Sequence, residues 1–89
     1  MTIYVVSYTS YTEYDYYLYT SHKVFNNGDD ALNHYRRTCD SAYGSISDDG
    51  EYQGNITVKS APGKVYPSRM FERLDGYMKI IVELNKYEL

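Results

Sequence analysis

Apolar and polar positions alternate from the first residues of the chain. In Ile3-Tyr4-Val5-Val6-Ser7-Tyr8, residues Tyr4, Val6 and Tyr8 share one face and Ile3 and Val5 the other. A β-branched and aromatic run of this period predicts a strand. Because both of its faces carry apolar groups, it predicts a central strand with a helix on one side. The polar stretch from Thr9 to Asp15 predicts a turn. Tyr16 to Phe25 then predicts the returning strand of a β-hairpin, with Tyr16, Leu18 and Thr20 opposing Tyr17, Tyr19 and Ser21.

From Asn26 onward the period becomes helical. Ala31, Leu32, Tyr35, Cys39 and Ala42 recur at spacings of three and four and form one apolar stripe, while Arg36, Arg37 and Asp40 fall off it toward water. Asn26 or Asn27 suits the N-cap, Asp29 and Asp30 suit the positive end of the helix dipole, and Gly44 suits the C′ position. These signals predict a helix over Gly28 to Tyr43, followed by an acidic loop from Ser45 to Glu51.

Gly54 to Ser60 predicts a strand with Ile56 and Val58 on one face, and Ala61-Pro62-Gly63 turns it toward Lys64-Val65-Tyr66, a run that Pro67 ends. Ser68 to Leu74 admits a helical turn capped by Ser68 or a strand leading into Asp75-Gly76, a two-residue hairpin signal. The hairpin is favoured because it places Glu72 opposite Lys79 and Phe71 opposite Ile80, which is sound cross-strand chemistry. Tyr77 to Leu84 predicts the last strand, with Asn85 to Leu89 fraying. The fold class that follows is α+β: a mostly antiparallel sheet of four to six short strands with one helix packed on one face, in a single domain over residues 1–89.

Composition changes this picture in one respect. The chain has 13 tyrosines, whereas Leu, Ile, Val and Phe together number only 18 of 89 residues. Such a thin aliphatic supply means that tyrosines, each able to bury roughly 150 Å² with the hydroxyl left wet, must complete the core. Alternating strand positions face opposite ways, so the surplus rings must lie outside. A thin core and strands with two apolar faces also predict self-association, most simply as a homodimer. No run reaches the roughly 18 apolar residues of a membrane span and no basic leader precedes Ile3, so a soluble, intracellular protein without a membrane partner is expected.

Candidate chemistry is sparse. His34 and Cys39 are five residues apart and so about 140° away from each other on a helix, which prevents their acting as base and nucleophile. With Cys39 alone there is neither an internal disulfide nor a CxxC metal framework. Asp48-Asp49-Gly50-Glu51 lacks the alternating oxygen ligands of a calcium loop, and no glycine-rich phosphate loop occurs. No catalysis, metal or cofactor is therefore expected. Charge is patchy: residues 48–53 carry −3 and residues 54–79 carry +3 within a net charge of −3. That balance is wrong for long nucleic acid but leaves room for a small nucleotide. Tyrosine-rich surfaces are typical of protein recognition.

The run Ile3-Tyr4-Val5-Val6, a polar turn, and then Val24-Phe25-Asn26-Asn27-Gly28-Asp29-Asp30-Ala31-Leu32-Asn33-His34-Tyr35 resembles the layout of small bacteriophage proteins. In those an opening Y-x-V strand leads through a hairpin to a Phe and a capped helix, F-[ST]-x-x-x-x-A. Here Asn-Asn-Gly stands where the usual cap would be. The resemblance covers Ile3 to Tyr35 and implies a host-takeover or anti-defence factor in the host cytoplasm, a class that includes anti-CRISPR inhibitors and nucleotide-signal sponges. It carries over no catalytic or ligand residue. Combined with the ring surplus, it leads to the expectation of a non-catalytic inhibitor that blocks a host or defence protein through a tyrosine-rich hairpin. Tyr11, Tyr14, Tyr16 and Tyr17 would be anchors, and Asp48, Asp49 and Glu51 a second contact patch. The alternative is a sponge for a nucleotide second messenger, with Lys64, Arg69 and Arg73 on its phosphates.

Overall fold

A computed structural model describes residues 1–12, 16–48, 54–60 and 67–89. The elements are β1 (Thr2–Thr12), β2 (Tyr17–Phe25), α1 (Gly28–Asp48), β3 (Ile56–Ser60), β4 (Ser68–Arg73) and β5 (Met78–Glu88). The architecture is α+β: the five strands form one antiparallel sheet of order β2-β1-β5-β4-β3, with α1 packed on one face. β1, with apolar residues on both faces, is an interior strand between β2 and β5, as its pattern predicts, while the middle strand of the five is β5.

The helix carries the chain from one sheet edge to the other. β2 and β3 are the two edge strands, roughly 19 Å apart across four strand spacings, and α1, with 21 residues, crosses between them. Its start lies against Tyr4, whose ring would stand 3.1 Å from a Cβ at Gly28, and His34 tilts against Phe25 at 5.3 Å. Farther along, Tyr43 meets Phe71 of β4 edge-on at 6.4 Å. Asn27 is the N-cap, its Oδ1 accepting from the amides of Asp29 (2.8 Å) and Asp30 (3.2 Å). The apolar stripe faces the sheet. Ala31, Tyr35, Cys39, Ala42 and Ile46 form the core together with Val6, Phe71, Ile80, Val82 and Leu84.

Four sequence expectations are corrected. The helix runs through Gly44 to Asp48, because Ile46 lies one turn beyond Ala42 and extends the buried stripe. Its last turn therefore takes up Ser45 to Asp48, the start of the expected acidic loop. β1 continues past Tyr8 to Thr12, and Thr12 N donates to Tyr16 O at 2.9 Å. β5 continues past Leu84 to Glu88 by pairing with the start of β1, from Val5↔Asn85 to Thr2↔Glu88. Finally, a register shift at Ser10/Tyr11 skips Leu18, so Tyr17 lies beside Tyr11 while Tyr19 lies beside Tyr8. Tyr8 and Tyr11 point to opposite faces of β1, so Tyr17 and Tyr19 also lie on opposite faces instead of sharing one.

The favoured reading of Ser68 to Leu74 holds: Phe71 pairs with Ile80 and Glu72 with Lys79. Gly76 supplies the turn with φ +76°, and its amide donates to Arg73 O at 2.9 Å. The Lys64-Val65-Tyr66 run lies outside the described residues.

Candidate protein-binding surface

Five of the ten described tyrosines, Tyr8, Tyr11, Tyr16, Tyr17 and Tyr19, collect toward the turn end of β1 and β2. There β1 stays paired with β5 as far as Thr12↔Met78, in a molecule whose principal extents are 44 × 22 × 21 Å. Six of the ten described tyrosines are exposed and only Tyr35 is buried. Tyr16, Tyr17, Leu18 and Tyr19 stand in succession at 69, 61, 56 and 55% exposure. The bulge at Leu18 distributes them over both faces of the edge strand. A strand of unbroken alternation would hold Tyr17 and Tyr19 together.

The rings are held in pairs. Tyr8 and Tyr19 meet edge-on at 6.2 Å on the helix-bearing face, and Tyr11 and Tyr17 at 6.4 Å on the other. The Lys79 ammonium lies 5.0 Å over the Tyr11 ring, brought there by the register Tyr11↔Lys79. Farther along the same face Thr20 Oγ1 donates to Thr9 Oγ1 at 3.2 Å, and Ser7 Oγ and His22 Nδ1 share a hydrogen bond of 3.0 Å. Burial first, and then the neighbouring Tyr19, push the Tyr8 hydroxyl above its ordinary value, so it remains a neutral phenol at physiological pH.

The expected site residues are only partly brought together. Tyr11, Tyr16 and Tyr17 lie at this hairpin end, whereas Tyr14, Asp49, Glu51 and Lys64 lie outside the described residues. Asp48 is the last residue of α1, from which the chain proceeds to β3, the edge opposite β2. Arg69 and Arg73 alternate with Met70 and Glu72 along β4 and share the helix-bearing face with Phe71. Arg73 is buried and holds Asp75 at 2.7 Å. Leu18, Tyr19 and Lys79 join the surface unforeseen. Leu18 and Tyr19 belonged to a recognisable strand, but Lys79 reaches Tyr11 only through a pairing between distant parts of the chain.

In the core, burial pushes the Cys39 thiol up, which disfavours the thiolate a nucleophile needs. The Tyr35 hydroxyl is raised chiefly by burial and then by Cys39; it is buried without a hydrogen-bond partner, since Cys39 and Arg69 lie near it but not at bonding geometry. Among the described residues no three His, Cys, Asp or Glu side chains converge on a metal position, and no helix is long and apolar enough to cross a membrane. No known family, curated protein or solved structure matches the chain.

Proposed function

We propose that the protein is a non-catalytic inhibitor that binds a partner protein, of the host or defence class implied by the sequence resemblance, through the tyrosine end of its β1–β2 hairpin. The observation that carries this reading is the unbroken exposed run Tyr16-Tyr17-Leu18-Tyr19 in a chain short of aliphatic core residues. Leaving four large side chains more than half exposed forgoes on the order of 1 kcal/mol of burial for each. Covering them with a partner recovers that energy. The ring pairs and the lysine over Tyr11 hold part of the surface in place before binding, which reduces the ordering cost of association.

The nucleotide reading finds less support, because Arg73 is buried and engaged with Asp75. The test is capture by immobilised protein from a bacterial lysate, followed by affinity measurement on the purified partner, with a Tyr16→Ala, Tyr17→Ala variant in parallel. Binding is expected to weaken at least about tenfold, while stability changes by no more than about 1 kcal/mol. Equal capture by the variant and the native chain would refute the assignment of the surface.

A further inference from the structure

The geometry points to a second copy of this chain on the free edge of β2, paired antiparallel about His22 so that two sheets join into one of ten strands. The two edges of the sheet differ in how they are protected. β3 is only 5 residues long and carries Lys59 next to its last residue, a short, charged edge of the kind that resists pairing. β2 has 9 residues and no proline. Its one lysine, Lys23, does not stand off the edge but lies over its own Phe25 ring at 5.6 Å.

The register follows from the bulge. Pairing with β1 is regular from Tyr4↔Phe25 to Ser10↔Tyr19 and shifts beyond it, so the regular part of β2 is residues 19 to 25. Two antiparallel copies that keep their helices on the same side can pair every one of these residues in only one way, with His22 opposite His22 of the second copy. Tyr19 then faces Phe25 on the helix-bearing side, Thr20 faces Val24 on the other, and Ser21 faces Lys23. These are an aromatic pair, a β-branched pair and a pair without like charges, each among the favourable or neutral classes of cross-strand neighbour. Lys23 leans toward Phe25 and therefore away from the twofold axis, so the two ammonium groups diverge. Val24, 60% exposed, becomes covered. A twofold contact of this kind is closed and presents the same strand from each partner. It turns Tyr19 toward Phe25 of the second copy and leaves Tyr11, Tyr16 and Tyr17 of each hairpin beyond the paired residues, at two ends that point in opposite directions.

This inference is independent of the target-binding reading, since it is read by mass and crosslinking and not by capture. Light scattering on the eluting full-length chain at about 100 µM, where a dimer with a Kd near 10 µM is mostly formed, is expected to give twice the 10.4 kDa of one chain. Val24→Lys is expected to return it to one chain with its circular dichroism unchanged. Under mild oxidation His22→Cys is expected to form a disulfide-linked dimer, because residues directly opposite lie within about 4.5–5.5 Å between Cα atoms. Ser21→Cys, with its equivalents about 8 Å apart on the diagonal, is not. A native chain that stays monomeric, or a dimer that crosslinks through Ser21→Cys in place of His22→Cys, overturns the proposal.

Discussion

Tyr35 shows how a tyrosine-built core differs from an aliphatic one. Its ring is buried on the sheet side of α1, yet its hydroxyl has no partner there. A buried hydroxyl without a hydrogen bond costs on the order of 1–3 kcal/mol, which offsets part of what the ring contributes. Tyr35→Phe keeps the ring and removes the unpaired group, so it is expected to stabilise the fold by about 1 kcal/mol, equivalent to roughly 4–8 °C in Tm. A fall in Tm would mean that the hydroxyl is satisfied in solution. That Tyr35 belongs to the core was legible from its place in the helical stripe. The condition of its hydroxyl was not, because that depends on what β4 brings opposite it.

At the level of the elements, α1 illustrates both the reach and the limit of local signals. Asn27, Asp29 and Asp30 marked its start correctly, and the stripe from Ala31 to Ala42 marked its buried face. Gly44 was a plausible stop, but burial of Ile46 draws the helix one turn farther. The glycine then sits inside a helix, and a Cβ there would meet nothing within 4 Å. Gly44→Ala is accordingly expected to raise stability by about 0.5–1 kcal/mol, measured by urea unfolding with an unchanged m-value. No gain would indicate that the last turn is frayed. In the same way the bulge at Leu18 left no sequence mark, since neither glycine nor proline accompanies it. It came from matching β2 to β1, and it decides which tyrosines share a face.

The molecule as a whole is closed by the pairing of its two ends. The Met1 ammonium donates to Leu89 O at 3.0 Å, Leu89 N to Met1 O at 2.6 Å, and Thr2 Oγ1 to Glu88 Oε2 at 2.6 Å. The Thr2 hydrogen bond, followed by Lys86, holds the Glu88 carboxyl below its ordinary range. At the opposite end of β5, partial burial pushes Asp75 up, but the Tyr77 amide and Arg73 outweigh it and leave the carboxyl lowered. His34 is also lowered, by burial first and then by the charges of Lys23 and Arg37. The signs set two windows. A histidine whose folded value is depressed binds its proton more readily when unfolded, so stability is lost as pH falls below about 6.5. Carboxylates held low contribute stability above about 4, which is lost as pH falls through their folded values. Tm is expected to decline in two stages on acidification, and His34→Gln should flatten the first stage alone. A native Tm that stays level from pH 7 to 5 would remove His34 from this account.

By itself the sequence determined the cap and buried face of α1 and the Phe71↔Ile80 and Glu72↔Lys79 register of the last hairpin, because each depends on neighbours close along the chain, and the α+β class and interior place of β1, because these follow from the periods and two-sided apolar pattern. It also required some rings to lie outside, since aliphatic residues were too few and strand faces alternate. Only the tertiary structure decided how far α1 and β5 extend, which tyrosines pair across the bulge, and that Lys79 caps Tyr11. The reach of α1 comes from burying Ile46 in the core, and the other features arise where β1 meets β5 and β2; both gains in energy appear only once helix and sheet have come together.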